Sequence, residues 1–231
     1  MKPLFFILIG LLSSCSEAQM KESVKIKHPF TFLALGDSYT IGESVAEQDS
    51  WPFQLNQRLR KAGIDISDPR IIATTGWTTD ELQAAIKREQ PSSDFDLVSL
   101  LIGVNNQYRG YPIAQYESEF MELLNQSIAL ANGKQENVFV ISIPDYGVTP
   151  FTKGLSMSAD KIARDLNAYN DIAKLICDSK EVQFFDITEW SRNAATDASL
   201  IAEDELHPSG KMYKNWVDTY FEWVLSNLQA R

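Results

Sequence analysis

The sequence predicts an α/β protein, a three-layer α/β/α sandwich around a mostly parallel sheet of about five strands. Short apolar runs alternate with longer segments in which apolar residues recur at helical spacing. The short runs are continuous rather than alternating, which indicates strands covered on both faces. Regular strand–helix alternation joins parallel strands through right-handed crossovers. The 231 residues, 44% of them hydrophobic, suit one globular domain with a sizeable core.

The predicted strands are short apolar runs separated by polar or glycine-containing turns. In chain order they are Phe30–Leu35, Ile71–Ala73, Leu97–Ile102, Val138–Ile143 and Val182–Phe185. Apolar residues at helical spacing predict helices in the intervening segments, and these stripes begin at Trp51, Leu82, Tyr116, Ile162 and Met212. Thr78 and Glu81 have the spacing of a capping box, so the second of these helices is predicted to start there.

Residues 1–14 have the features of a signal peptide rather than of the fold. Met1-Lys2 supplies a short positive start, and the apolar stretch Leu4–Leu12 is too short for a permanent membrane span. Leu12-Ser13-Ser14-Cys15 resembles the lipobox of bacterial lipoproteins, in which the cysteine is lipidated and becomes the first residue after cleavage. A plain secretory signal that contains a cysteine is the alternative. Residues 15–29 are then predicted to be a tether, and residues 30–231 the folded domain.

The composition also limits the partners. A formal charge of −10 argues against nucleic acid, which is bound mainly through phosphate neutralisation. The chain has two cysteines; if Cys15 carries lipid, Cys177 has no partner within the chain and no disulfide is implied. Cys177 lies in a helical pattern, which favours a small buried residue over a nucleophile. Two histidines make a His-rich zinc site improbable, and no metal is predicted.

Polar or small residues follow three predicted strands: Gly36-Asp37-Ser38, Thr75-Gly76-Trp77 and Gly103-Val104-Asn105. A fourth segment, Asp204-Glu205-Leu206-His207-Pro208, follows the fifth strand. Because the working groups of a parallel sheet gather at the carboxyl ends of its strands, we expect all four segments to meet along one edge.

These residues have the chemistry of a nucleophilic hydrolase. A serine such as Ser38 needs an imidazole to take its proton, which suggests His207 as general base. Asp204, three residues earlier, is the candidate that orients the ring, and Glu203 and Glu205 are close competitors. Asn105 and Gly76 are candidate oxyanion donors, one through its side-chain amide and one through its backbone N–H. Each feature alone is also compatible with an ordinary turn, an exposed histidine or a solvated acidic loop.

Taken in order, the four segments resemble the sequence blocks of the SGNH (GDSL) hydrolase superfamily. The resemblance covers about residues 30–228. It implies a flavodoxin-like α/β/α fold, a triad of Ser38, Asp204 and His207, and no cofactor. It also implies an oxyanion hole formed by the backbone N–H groups of Ser38 and Gly76 and the amide of Asn105. The chain departs from many members by carrying Asn106 where they have aspartate, which affects only the local hydrogen bonding expected there.

The activity expected from this resemblance is hydrolysis of carboxylic esters through an acyl-enzyme, with lipid acyl esters or O-acylated sugars as substrates. Segments Gln107–Pro112 and Asp145–Phe151 are predicted to wall the site; their aromatic side chains suit an acyl chain, a sugar ring or simple anchoring. Arg109 is a candidate for contacting a phosphate or carboxylate. An acyltransferase using the same residues and a non-catalytic binding protein on this fold are the alternatives. The lipid on Cys15 would place the protein on the periplasmic or cell-surface side of a bacterial membrane.

Overall fold

The computed structural model describes residues 28–231. The predicted signal peptide, the lipidation site Cys15 and nearly all of the predicted tether lie outside the described residues. Within residues 28–231 no helix is long and apolar enough to cross a membrane.

A five-stranded, fully parallel sheet in the order β2-β1-β3-β4-β5 forms the centre of the fold. The predicted fold class is confirmed. The strands are β1 (Phe32–Asp37), β2 (Arg70–Thr74), β3 (Leu97–Leu101), β4 (Val138–Ile141) and β5 (Gln183–Phe185). β1 pairs with both β2 and β3, so the chain reverses its direction of travel across the sheet at β1. A crevice therefore opens at the carboxyl end of β1, where parallel α/β sheets bind ligands.

Helices surround the sheet, and several 3₁₀ turns connect them. The α-helices are α1 (Ser38–Ile41), α2 (Trp51–Lys61), α3 (Thr79–Glu89), α4 (Val104–Tyr108), α5 (Ile113–Leu130), α6 (Ala159–Ser179), α7 (Thr188–Arg192) and α8 (Gly210–Gln229). The predicted capping box starts α3: the Thr78 N–H donates to the Glu81 carboxylate at 2.9 Å. α2 packs against α8, whereas α5 packs against α3 and α6. Two separate helical layers result.

Aromatic side chains fill the space between the sheet and the α2–α8 layer. Trp51 of α2 and Tyr220 of α8 are fully buried, with ring centroids 6.0 Å apart. Both rings contact Phe139 of β4, which is also fully buried. Truncation of such a ring to alanine typically costs about 3–5 kcal/mol, because a cavity remains. Phe32, the first residue of β1, joins this cluster, with its ring centroid 6.2 Å from that of Trp51 and 6.4 Å from that of Phe139.

The bounds of β4 and β1 differ from the prediction. β4 ends at Ile141 rather than Ile143 because the side chain of Asn170 takes over the hydrogen bonds of Ile143, accepting from its N–H at 2.8 Å and donating to its carbonyl at 2.9 Å. β1 starts two residues later than predicted and continues through Asp37.

Candidate active site

Ser38 is the first residue of α1, directly after β1. The Asp37 Oδ1 atom caps this helix by accepting the Tyr39 N–H at 3.0 Å. Gly36 permits the sharp strand-to-helix turn, because a Cβ there would lie 2.1 Å from Thr40 Oγ1 and 2.5 Å from the Leu101 carbonyl oxygen. Ser38 is 5% exposed, so its hydroxyl sits in a recess rather than on the open surface.

Burial raises the pKa of Asp37, the residue directly before the serine. Asp37 is completely buried, and the resulting loss of solvation raises its pKa to about 7, although the N–H of Tyr39 acts in the opposite direction. The Asp37 Oδ2 atom has no hydrogen-bond partner among the described residues. The carboxyl group next to Ser38 therefore holds a proton over a far wider pH range than an exposed aspartate.

His207 and Asp204 form a tight pair in the loop after α7. The Asp204 Oδ2 atom lies 2.5 Å from His207 Nδ1, and Asp204 Oδ1 accepts the backbone N–H groups of Leu206 at 3.0 Å and His207 at 2.9 Å. Partial burial raises the pKa of Asp204, but hydrogen bonds from His207 and Ser44 outweigh this and lower it to about 2. The carboxylate is thus ionised throughout the neutral range.

Of the three neighbouring carboxylates in this loop, Asp204 is the one bonded to the ring. Glu205 adopts a left-handed conformation with φ of 63°, which makes the tight turn between Asp204 and His207. Pro208 pairs with Ile201 in a short antiparallel bridge. α8 begins at Gly210, with the Ser209 hydroxyl accepting the Met212 N–H as its cap.

Gly76 lies in the loop after β2 and Asn105 lies at the start of α4, and both line the same cavity as Ser38. Gly76 has φ of +86°, a left-handed conformation that favours glycine. The Asn105 side chain donates one N–H to the Trp77 carbonyl at 2.9 Å, which fixes its orientation. Gly103 begins this turn with φ of +126°, and a Cβ there would lie 2.5 Å from the Tyr116 ring.

The predicted residues meet around one small cavity of about 140 Å³. Ser38, Gly76, Asn105 and His207 all contribute to its lining, and Asp204 lies behind the imidazole. The remaining lining is mostly apolar or aromatic: Tyr39, Thr75, Val104, Tyr108, Tyr146, Phe151 and Leu206. The structure therefore brings together every residue that the sequence proposed for this edge. Their catalytic roles stay predictions.

The two predicted wall segments both contribute to the cavity. The ring centroid of Tyr108 lies 6.2 Å from that of Tyr146 and 6.2 Å from that of Phe151. The Tyr146 hydroxyl donates to the Gln107 side chain at 2.8 Å, which holds that ring in place. Arg109 points elsewhere: it donates to the Gly76 carbonyl at 2.5 Å and pairs with Glu81 at 3.3 Å. The guanidinium therefore supports the glycine loop and does not line the cavity.

Asn106 is completely buried. Many members of the superfamily that the sequence resembles carry aspartate at this position. The Asn106 Oδ1 atom accepts the Thr79 N–H at 3.1 Å, and its Nδ2 donates to the Thr79 hydroxyl at 2.6 Å. That hydroxyl in turn donates to Glu119. The amide thus joins the start of α4 to the start of α3 and needs both its donor and its acceptor.

Two residues that contact the site were not predicted from the sequence. Ser44 donates its hydroxyl to Asp204 Oδ2 at 2.7 Å, and Glu43 accepts a hydrogen bond from the Thr75 hydroxyl. Both belong to a turn whose residue types are ordinary for a loop, so no local signal marked them. The described residues contain no cluster of three His, Cys, Asp or Glu side chains placed to hold a metal ion.

Comparisons with known proteins agree with this fold. The model of the GDSL-like lipase/acylhydrolase family matches residues 34–214. An arylesterase of Vibrio mimicus is 25% identical over 210 residues, which cover 89% of this chain and 88% of the relative. Two solved structures share the fold. An acetylxylan esterase of Geobacillus stearothermophilus has a TM-score of 0.63 at 19% identity, covering 87% of this chain and 96% of that one. A putative GDSL-like lipase of Parabacteroides merdae has a TM-score of 0.67 at 16% identity, covering 86% and 96%.

Proposed function

Because the chain belongs to the GDSL-like lipase/acylhydrolase family, we propose that Ser38, His207 and Asp204 form the catalytic triad of an esterase acting on small esters. Family membership makes the protein a serine hydrolase that cleaves ester bonds. The observation that carries the triad is the Asp204–His207 pair, bonded at 2.5 Å, in a loop whose histidine shares one cavity with Ser38. The ionised carboxylate holds the Nδ1–H tautomer, which leaves the His207 Nε2 atom as the proton acceptor.

In the acylation half-reaction, the Ser38 oxygen attacks the ester carbonyl carbon while His207 Nε2 takes the hydroxyl proton. The tetrahedral intermediate collapses when the bond to the leaving alcohol breaks and His207 returns the proton to that oxygen. Water then attacks the acyl-enzyme, with the same proton transfers through His207, and frees the acid and Ser38. Asp204 stabilises the imidazolium that forms in each half.

Three N–H groups are proposed to stabilise the oxyanion: the backbone groups of Ser38 and Gly76 and the side-chain amide of Asn105. Ser38 is the first residue of α1, so its backbone N–H has no acceptor within the helix. The Asn105 bond to Trp77 uses one of the two amide hydrogens and leaves the second for the substrate oxygen.

The size of the cavity supports a small acyl or aryl group. Its volume of about 140 Å³ lies below the usual range for ligand pockets, roughly 300–1,000 Å³. The walls are aromatic, with the Tyr108 ring in contact with both Tyr146 and Phe151. The similar arylesterase and acetylxylan esterase carry names that fit such a pocket. We therefore favour acetyl or other short acyl esters of aryl alcohols or sugars over long-chain lipid esters.

The test is a series of p-nitrophenyl esters from acetate to octanoate, together with acetylated sugars. We expect the highest kcat/KM for the shortest acyl groups, and loss of activity in Ser38→Ala. Ser92→Ala is the matched control, because Ser92 is exposed in the segment before β3, at the opposite edge of the sheet. A fluorophosphonate should label the wild type but not Ser38→Ala. Full activity in Ser38→Ala would contradict the triad, and ester transfer to an added alcohol without free acid would identify an acyltransferase.

For the N-terminal segment we propose lipidation of Cys15, with residues 15–29 as a tether to a bacterial membrane. The order Leu12-Ser13-Ser14-Cys15 supports this proposal. Metabolic labelling with a clickable fatty acid, compared between the wild type and Cys15→Ser, tests it. Equal labelling of both proteins, or none, would contradict lipidation at Cys15.

A further inference from the structure

The turn that follows α1 is built around left-handed backbone conformations. Gly42 ends the helix with φ of 76°, and its N–H donates to the Ser38 carbonyl at 3.2 Å. The Glu43 N–H donates to the same carbonyl at 3.1 Å, and Ser44 follows with φ of 65°. A Cβ at Gly42 would lie 2.4 Å from the Cβ of Ser50, so the turn has one tightly constrained path. The side chains of Glu43 and Ser44 therefore start from fixed positions relative to Ser38.

These two adjacent side chains contact two different loops of the site. The Ser44 hydroxyl donates to Asp204 Oδ2 at 2.7 Å, across 160 positions of sequence. The Glu43 carboxylate accepts from the Thr75 hydroxyl, on the loop that continues into Gly76. One turn, anchored to the serine-bearing helix, thus contacts both the loop of the acid–base pair and the loop of the proposed oxyanion donor.

We propose that Glu43 and Ser44 are positioning residues that hold the Asp204 and Gly76 loops in register with the Ser38 nucleophile. The inference rests on the proposed function of Ser38, His207 and Asp204. Neither Glu43 nor Ser44 lines the cavity itself, so neither is a group that contacts the reacting atoms.

Ser44 acts on the carboxylate that orients the imidazole. Asp204 Oδ2 accepts from both the Ser44 hydroxyl and His207 Nδ1, so the two donors fix its direction together. Asp204 Oδ1 is occupied by two backbone N–H groups of its own loop. Ser44 is therefore the side chain outside that loop that hydrogen-bonds Asp204, and it transmits the position of α1 to the acid–base pair. A serine held at positive φ for this contact is conformationally unfavourable, which fits a functional position.

Glu43 contacts the loop that carries Thr75 and Gly76. Thr75 lines the cavity, and so does the next residue, Gly76, which has a left-handed conformation. Arg109 secures the Gly76 carbonyl from the other side at 2.5 Å. Glu43 and Arg109 therefore hold the two ends of the same short segment, which leaves the Gly76 N–H little freedom.

The first experiment compares Ser44→Ala and Ser44→Gly with the wild type and with Ser92→Ala. Both variants remove the hydroxyl, but glycine also relieves the left-handed conformation, so a shared defect reports the hydrogen bond rather than strain. We expect about a tenfold fall in kcat on p-nitrophenyl acetate with KM unchanged, from the loss of a hydrogen bond to a charged group. Normal kcat in both variants would overturn the role of Ser44.

A second readout does not need turnover. The low-field NMR proton signal of the short Asp204–His207 hydrogen bond should shift in Ser44→Ala and Ser44→Gly and stay in place in Ser92→Ala. The chain has only two histidines, His28 and His207. A signal that persists in His28→Gln therefore belongs to His207. An unshifted signal would contradict the proposal. If the wild type hydrolyses no ester, the triad fails, while this signal still decides whether Ser44 positions Asp204.

For Glu43 the matched pair is Glu43→Ala and Glu43→Gln. Glutamine keeps a carbonyl oxygen that accepts the Thr75 hydroxyl, so we expect it to retain wild-type kcat. Glu43→Ala should lower kcat several-fold with KM unchanged. Thr75→Val should cause no further loss of kcat in the double variant, because both substitutions remove the same hydrogen bond. Additive losses in Glu43→Ala/Thr75→Val, or an equal defect in Glu43→Gln, would overturn this part of the proposal.

Discussion

Asp204 and His207 hold each other at two points. The Asp204 Oδ2 atom lies 2.5 Å from the ring Nδ1, and Asp204 Oδ1 accepts the backbone N–H of His207 at 2.9 Å. The carboxylate therefore fixes the ring and the backbone that carries it with a single side chain. An aspartate three residues before the histidine is short enough to do both, because the intervening turn folds back on it.

This double contact predicts a selective effect of Asp204→Asn. The amide keeps an oxygen for the backbone N–H groups, but its NH₂ group then faces Nδ1 and selects the wrong imidazole tautomer. We expect kcat to fall by about 10³–10⁴ with the fold retained. Steady-state kinetics and thermal unfolding measure the two effects, with Glu205→Gln as the control from the same turn. Activity within tenfold of the wild type would argue against Asp204 as the orienting carboxylate.

The buried carboxyl group beside the nucleophile predicts a pH-dependent stability. Burial raises the pKa of Asp37 to about 7, so the folded state binds its proton more tightly than the unfolded chain does. Its contribution to the free energy of unfolding is complete at low pH and is lost as the pH rises from about 4 to about 7. We expect Asp37→Asn to gain stability relative to the wild type over that interval, measured by urea unfolding. Asp171→Asn, an exposed site on α6, serves as control, and parallel wild-type and Asp37→Asn curves would exclude the effect.

The cysteine of α6 should be inert in the native protein. Cys177 is completely buried, and burial raises the pKa of its thiol to about 12. Because the thiolate is the reactive form, a disulfide reagent should modify it only after unfolding. In the Cys15→Ser protein, Cys177 is the sole thiol, and we expect no reaction natively and one equivalent in concentrated guanidinium chloride. Rapid labelling of the native protein would contradict the buried position.

The amide of Asn106 predicts a specific cost for the aspartate that many relatives carry. Asn106→Asp removes the N–H group that donates to the Thr79 hydroxyl. The single hydrogen of that hydroxyl can then satisfy only one of two carboxylates, the introduced one or that of Glu119. We expect a loss of about 1–3 kcal/mol in the free energy of unfolding, since one buried acceptor loses its partner. Adding Glu119→Gln supplies a new donor to that hydroxyl and should recover much of the loss. No recovery in the double variant would show that the hydrogen-bond chain is not the cause.

The aromatic wall predicts how substrate size can be changed. Tyr108 lines the cavity and is 46% exposed, so its removal opens the pocket towards solvent without disturbing the core. In Tyr108→Ala we expect kcat/KM for p-nitrophenyl octanoate to rise relative to the acetate. Ile113→Ala, at an exposed apolar site at the start of α5 that does not line the cavity, is the control. An unchanged acyl preference would show that Tyr108 does not limit chain length.

The sequence alone determined the layered α/β fold, its five strands and the family. It also indicated which segments meet at the carboxyl edge of the sheet. Hydrophobic periodicity reports strand and helix type locally, and parallel topology then places the ends of β1, β2 and β3 side by side. Ser38, Gly76 and Asn105 were therefore predictable as neighbours from their places just after strand ends, and His207 from its place in the loop region that follows the fifth strand.

Only the tertiary structure decided how the loops between those ends contact one another. It turned Arg109 onto the Gly76 carbonyl and brought Ser44 to Asp204, the carboxylate that the family resemblance had already implied. Periodicity carries no information about such contacts, because a loop takes its conformation from partners that lie far away in the chain, 160 positions in the case of Ser44. The volume of the cavity has the same origin, since it depends on how side chains from separate loops pack together.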